Sequence, residues 1–211
     1  MRPVLLGCLL VLTLLLGVLQ AQAAISVTVT YTADNLISAA YQNGGSPVPI
    51  ALGTNAGDWT VADAKTLNLA YGTEYQLVFL AQNLGTASSS NPAGFLAEIS
   101  GNVTGDLLTG VSWDYAVYDP NNPAPSDFDA LTWSAATAYL PNKTPNWPWS
   151  RTVGGISTDS YWIWDGTNAS GADEKLWIRG IVTTAAVPEP TTLLIWTVLG
   201  ILGAVAYGRR K

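Results

Sequence analysis

The chain of 211 residues contains no histidine. That removes the commonest general base near neutral pH and the commonest ligand of transition metals. Its single cysteine, Cys8, sits inside an apolar leader, so the rest of the chain has no thiol nucleophile, no disulfide and no zinc–thiolate set. The nearest approach to a glycine-rich phosphate loop, Gly101-Asn102-Val103-Thr104-Gly105, lacks the lysine such a loop needs. Positive charge is scarce as well. Between residues 24 and 186, fourteen Asp and Glu face only Lys65, Lys143, Arg151, Lys175 and Arg179, a net of nine negative charges. No basic patch exists to neutralise phosphates, so no nucleic-acid partner is expected. An acidic body of this kind stays soluble.

These absences leave paired carboxylates as the chemistry an enzyme would use, as in glycoside hydrolysis. The body's glutamates are Glu74, Glu98 and Glu174, and Glu98 alone falls on an expected strand beside a glycine-lined loop. A solvated or edge-guarding charge explains each of them more simply. The sequence therefore reads as non-enzymatic.

Both ends of the chain are apolar. Arg2 is followed by an apolar stretch at 4–19 and the small-x-small triplet Ala21-Gln22-Ala23, which makes 1–23 a secretory leader with Ala24 as the first mature residue. Leu5-Leu6-Gly7-Cys8 imitates a lipoprotein box, but its cysteine comes before any usable apolar stretch has formed. An uncleaved N-terminal anchor is the competing reading. At the other end, Val187-Pro188-Glu189-Pro190 precedes an uncharged run at 191–207, and Arg209-Arg210-Lys211 follows. Seventeen residues reach the lower limit of about 17 for a spanning helix. Cations flanking such a span remain on the cytoplasmic side. A buried helix of a soluble domain would not be apolar on every face and end in three cations. The two prolines keep the segment before the span extended.

This hinge, span and basic end, in that order, resemble the PEP-CTERM sorting signal of bacterial exported proteins. The resemblance covers only residues 187–211. It implies that Val187, Pro188, Glu189, Pro190, Arg209, Arg210 and Lys211 form a sorting signal handled by exosortase, a membrane-embedded transpeptidase-like protease. It also implies an association with extracellular polysaccharide and biofilm. The expected partners are thus the membrane, a sorting protease and extracellular polysaccharide. The expected location is outside the cytoplasm, either anchored or released after processing.

The body, 24–186, is long enough for one domain with a good core. Ile25-Ser26-Val27-Thr28-Val29-Thr30-Tyr31 alternates cleanly, as a half-buried strand does. Further strands are expected at 36–41, 48–52, 59–61, 66–70, 75–81, 94–99, 110–118, 161–164 and 175–183. Residues 75–81 are apolar enough to be covered on both faces. Pro47 and Pro49 limit 48–52 to an edge, and Asn43-Gly44-Gly45 marks a turn. Residues 131–140 are ambiguous, because Trp133, Ala136 and Leu140 also fit one side of a short helix. Many short strands with turns between them predict an all-β, two-sheet sandwich.

Thr32-Ala33-Asp34-Asn35, Asn43-Gly44, Trp59, the strand at 75–81 leading to Asn83, Gly94-Phe95-Leu96-Ala97, Trp162-Ile163-Trp164 and Leu176-Trp177-Ile178-Arg179 resemble galactose-binding-like jelly-roll domains. Such domains occur in bacterial surface proteins and glycosidase accessory modules. The likeness spans most of 28–183, and Ser38-Ala39-Ala40-Tyr41 departs from it. It implies a jelly-roll-like sandwich and sugar binding.

Eight tryptophans lie in the body. An indole face stacks on the apolar face of a sugar ring, while nearby amides meet the hydroxyls. Trp147-Pro148-Trp149, with Asn146 beside it, sits in a proline-framed loop and is the candidate carbohydrate platform; satellite-core packing is the competing reading. Trp59, Trp113, Trp133, Trp162, Trp164 and Trp177 read as core, with Trp162 and Trp164 on one face. Asp119-Pro120-Asn121-Asn122 with Asp127 and Asp129, and separately Asp34-Asn35, offer the oxygens that calcium takes. Asx turns that cap their own backbone account for both groups more simply. No cofactor is assigned, and a structural calcium is kept only as an alternative.

Overall fold

The computed structural model describes residues 24–85, 88, 91–143, 151–166 and 174–186. Every regular element among them is a strand: β1 (Ala24–Asp34), β2 (Leu36–Asn43), β3 (Pro47–Pro49), β4 (Asp63–Ala70), β5 (Glu74–Gln82), β6 (Gly94–Gly101), β7 (Val103–Gly105), β8 (Asp114–Val117), β9 (Ser134–Ala135), β10 (Thr137–Pro141), β11 (Tyr161–Trp164) and β12 (Lys175–Thr184). No described helix is long and apolar enough to cross a membrane. The leader at 1–23 and the tail at 187–211 lie outside the described residues.

The strands form two antiparallel sheets. The five-stranded sheet has the order β10-β11-β6-β1-β4; the seven-stranded sheet runs β3-β2-β5-β12-β8-β9, with β7 also on β12. The sheets bury one face each against the other. Alternation in β1 sends Ile25, Val27, Val29 and Tyr31 inward, to meet Leu77, Phe79 and Ala81 of β5 and Ile178 and Val182 of β12. A run of rings crosses this interior. Tyr31 lies 5.1 Å from Phe79, Phe79 5.1 Å from Phe95, and Phe95 5.7 Å from Trp113, centroid to centroid. Trp113 in turn lies over Gly180, where a Cβ would come within 2.6 Å of the indole. The all-β, two-sheet expectation is borne out.

Both outer faces carry a loop cover. On the seven-stranded sheet, residues 118–133 bring Phe128 onto Val78, Leu80, Ala116 and Trp177. Thus β5 is covered on both faces, as its composition predicts. On the five-stranded sheet, residues 151–160 place Val153 and Ile156 over Leu96 and Trp162, with Trp59 at the margin. Each cover removes apolar surface that a sandwich would otherwise expose to water.

Two of the four sheet edges are guarded. Prolines occupy both ends of the short edge strand β3. At the other sheet's edge, β4 points Asp63, Lys65, Leu67 and Leu69 inward, and Lys65 is half-buried in that register. Prolines and inward-pointing charges are devices that stop an open edge from pairing with another chain.

Three sequence expectations need correction. Residues 59–61 are a turn rather than a strand, because the Asp58 carboxylate accepts hydrogen bonds from the Thr60 N–H at 2.9 Å and hydroxyl at 2.6 Å. The strand expected over 110–118 is confined to β8, since the N–H of Trp113 turns back to the Gly110 carbonyl. Val117, the last residue of β8, keeps the Tyr115 side of the strand, opposite Leu176, and is 70% exposed. Residues 131–140 contain β9 and part of β10 instead of a helix.

Candidate functional site

The end of the sandwich where β5 finishes and β12 begins carries most of the polar side chains with defined partners. The Asn35 amide oxygen accepts the Leu84 N–H at 2.7 Å, and its Nδ2 donates to the Asp34 carboxylate at 2.6 Å. Asn83 is fully buried, and its N–H reaches the Glu174 carbonyl at 2.9 Å. These bonds tie the ends of β1, β5 and β12 into one rim.

An open cleft of about 530 Å³ lies beside this rim, lined by Gln82, Val117, Tyr118, Pro120, Glu174 and Lys175. It offers one aromatic ring, an amide, a carboxyl, an ammonium and two apolar surfaces. Tyr118 is held from beneath by Trp177, 6.4 Å away between centroids, and the Lys175 ammonium lies 5.3 Å from the Tyr118 ring centre. The Glu174 carboxylate accepts the Trp164 indole N–H at 3.1 Å. Burial raises the pKa of Glu174, the Trp164 bond opposes that rise, and the adjacent Asp165 carboxyl adds to it.

No family model, curated protein or solved structure matches the chain. The site must therefore be judged on its own geometry.

The other predicted residues fare variously. Trp147, Trp149 and Asn146 lie outside the described residues, as do Val187, Pro188, Glu189, Pro190, Arg209, Arg210 and Lys211. Trp113, Trp162, Trp164 and Trp177 are buried, as expected of core residues, and Trp59 and Trp133 pack half-buried on the outer covers. Trp162 and Trp164 share burial but not neighbours: Trp162 sits under the 151–160 cover and Trp164 joins the main core. Glu98 accepts the Ser157 N–H at 2.5 Å and so fastens that cover, while Glu74 is exposed.

The two oxygen-rich segments form local turns. Asp119 accepts the Asn121 N–H at 2.8 Å and its Nδ2 at 3.0 Å; Asp127 accepts the Asp129 N–H at 2.8 Å; and Asp129 accepts from Gln76. Among the described residues no three carboxylates, thiols or imidazoles converge on one point. Sequence reasoning did not assemble the cleft at Tyr118. Its residues come from three separate segments, and Glu174 alone had been singled out, for its residue type.

Proposed function

We propose that the chain is a non-enzymatic exported protein, sorted through its PEP-CTERM-like tail by an exosortase-type protease. It acts in the cell envelope or the extracellular polysaccharide, either anchored by its final helix or released after processing. One observation carries this reading: a proline-framed Val187-Pro188-Glu189-Pro190, a seventeen-residue uncharged run and three terminal cations follow one another without interruption. The secretory leader at 1–23 supports it independently. A body with no cysteine and a large apolar core suits a folded export product that does not depend on disulfides. The finer architecture, a galactose-binding-like jelly roll, belongs to the same proposal and rests on the motifs quoted above, for which a two-sheet body is the requirement.

The test is processing of the full chain in a bacterial host with and without an exosortase-type protease. The wild type should lose mass corresponding to the tail only when the protease is present, and Pro188→Ala/Glu189→Ala/Pro190→Ala should remain uncut in the membrane. Wild-type protein recovered from the cytosol with both terminal segments intact would defeat the reading.

A second reading, a lectin-like module, is favoured by the cleft at Tyr118. An aromatic ring with an amide, a carboxyl and an ammonium around it matches the mixed surface of a sugar. Retention of residues 24–186 on matrix polysaccharide should fall at least severalfold in Tyr118→Ala. Equal retention of wild type and variant would remove the cleft from consideration.

A further inference from the structure

The last strand ends in a fixed place. The Thr184 hydroxyl donates within reach of the Ala70 carbonyl at 2.7 Å and the Thr73 carbonyl at 3.0 Å, and accepts the Thr73 N–H at 2.9 Å. The Ala185 N–H donates to the Asn102 carbonyl at 3.1 Å, and the Ala185 carbonyl accepts the Gly72 N–H at 2.9 Å. Ala186 lies beside Gly72. The chain therefore leaves the body with no slack, directly from the turns that join β4 to β5 and β6 to β7. Ala24 pairs with Ala70, so the first mature residue is at the same end. The turn between β2 and β3 is there too, because Asn43 pairs with both Gln76 and Pro47.

That end differs in charge from the other. Its turns and termini, residues 24–26, 43–47, 70–74, 101–103 and 184–186, contain one charged side chain, Glu74, and two carboxylates stand just behind them: Asp106, which accepts the Ile181 N–H, and Asp129, which accepts from Gln76. The opposite end holds Asp34, Asp58, Asp63, Asp119, Asp165 and Glu174 against Lys175 and against Arg151, whose charge acts on Asp58. Only four residues, 187–190, separate Ala186 from the apolar run. Fully extended they reach about 14 Å. The headgroup layer of one leaflet takes up about 5–7 Å of that. The remaining gap of less than about 10 Å is no wider than the usual spacing between two packed sheets.

Resting on the tail reading above, we infer that the turn end, built from the charge-poor turns at 43–47, 70–74 and 101–103, lies against the lipid headgroups of the bilayer that the tail enters. The acidic rim and the Tyr118 cleft then point away from the membrane. The short hinge brings the body to the surface. The anionic lipid field repels the carboxylate-lined rim more strongly than the turns themselves, which carry one charge. Tyr71, half-buried in this end and packed against the core, is of the residue type that favours the headgroup level.

Single-cysteine labelling of the full chain tests this, with Cys8→Ser removing the native thiol. Fluorophores at Ser46→Cys and Asn102→Cys probe the turn end, and one at Asn122→Cys probes the far end. The protein is reconstituted in phosphatidylcholine vesicles containing phosphatidylglycerol and headgroup-spin-labelled lipid. Quenching should be severalfold stronger at the turn-end positions than at position 122. Adding carboxylates with Thr73→Asp and Asn68→Asp should weaken that quenching, more so as the phosphatidylglycerol fraction rises. Uniformly weak quenching, with the tail still protected from added protease, would overturn the orientation and leave the tail reading standing. A tail that protease removes, on protein that does not stay with the vesicles, would overturn both.

Discussion

The two outer covers solve one problem with different chemistry. Over the seven-stranded sheet the fastening is aromatic. Phe128 meets Trp177 at 5.2 Å and Tyr41 at 5.3 Å, and the Arg179 guanidinium sits 4.2 Å from the Trp133 ring while both its Nε and Nη2 donate to Asp114. Over the five-stranded sheet the fastening is polar: a buried amide, with the Glu98 carboxylate on Ser157 beside it. Asn142 is fully buried; its Nδ2 donates to the Val153 carbonyl at 3.0 Å and the Ile156 carbonyl at 2.8 Å, and its Oδ1 accepts the Val153 N–H at 2.8 Å. The difference follows from what each loop offers. Residues 118–133 supply rings and need only burial, which is non-directional. Residues 151–160 supply two aliphatic side chains, and their backbone groups must find partners once covered. A loop poor in rings is held by satisfying its main chain.

The strongest way to break this contrast is Phe128→Ala. Loss of a buried ring and the cavity left behind should cost about 3–5 kcal/mol. Denaturant unfolding reads that cost, and limited proteolysis should show 118–133 cut while 151–160 stays protected. Equal cutting of both covers would mean that they do not open separately.

Asn142→Ala should come next. Three buried backbone groups lose their partner, but water entering the space the amide leaves satisfies them in part, so the net cost should be about 1–3 kcal/mol. Proteolysis should now reverse the pattern, with 151–160 cut first. Asn142→Asp separates geometry from donor chemistry, since it keeps the acceptor for Val153 and loses both donors.

Glu174→Gln gives the smallest effect and serves as a reference outside both covers. Burial raises the Glu174 pKa in the folded state, so its contribution to stability is fully present below the ordinary glutamate value and is lost as pH rises through the raised one. The glutamine variant should flatten stability against pH in that window and leave the order of loop cutting unchanged. An unaltered pH slope would show that Glu174 does not set it.

The sheets were readable because their signal is local. Alternation in β1 and the apolar run of β5 follow from period-two side-chain geometry, and β11 and β12 share that property. The covers were not readable, because their structure is decided by distant partners. Trp133, Ala136 and Leu140 fall at helix-like spacing, yet Trp133 donates its indole N–H to Phe128 at 2.8 Å and Ala136 bonds to Trp113, which breaks the run into two short strands. Tertiary contacts override weak local preference in such segments. The same reason hid the cleft at Tyr118. Glu98 looked like a candidate acid by residue type, and its strand was placed well, but its partner, Ser157, lies 59 residues away.

The inward lysine on β4 has a consequence for crowding. A protein concentrated at a surface meets its own copies constantly, open flank to open flank. Any neighbour zippering onto β4 would have to cover the inward-turned Lys65, and the prolines of β3, which borders the same flank, leave too few N–H groups for pairing to begin there. High local density at that flank is thus compatible with individual, unfused copies.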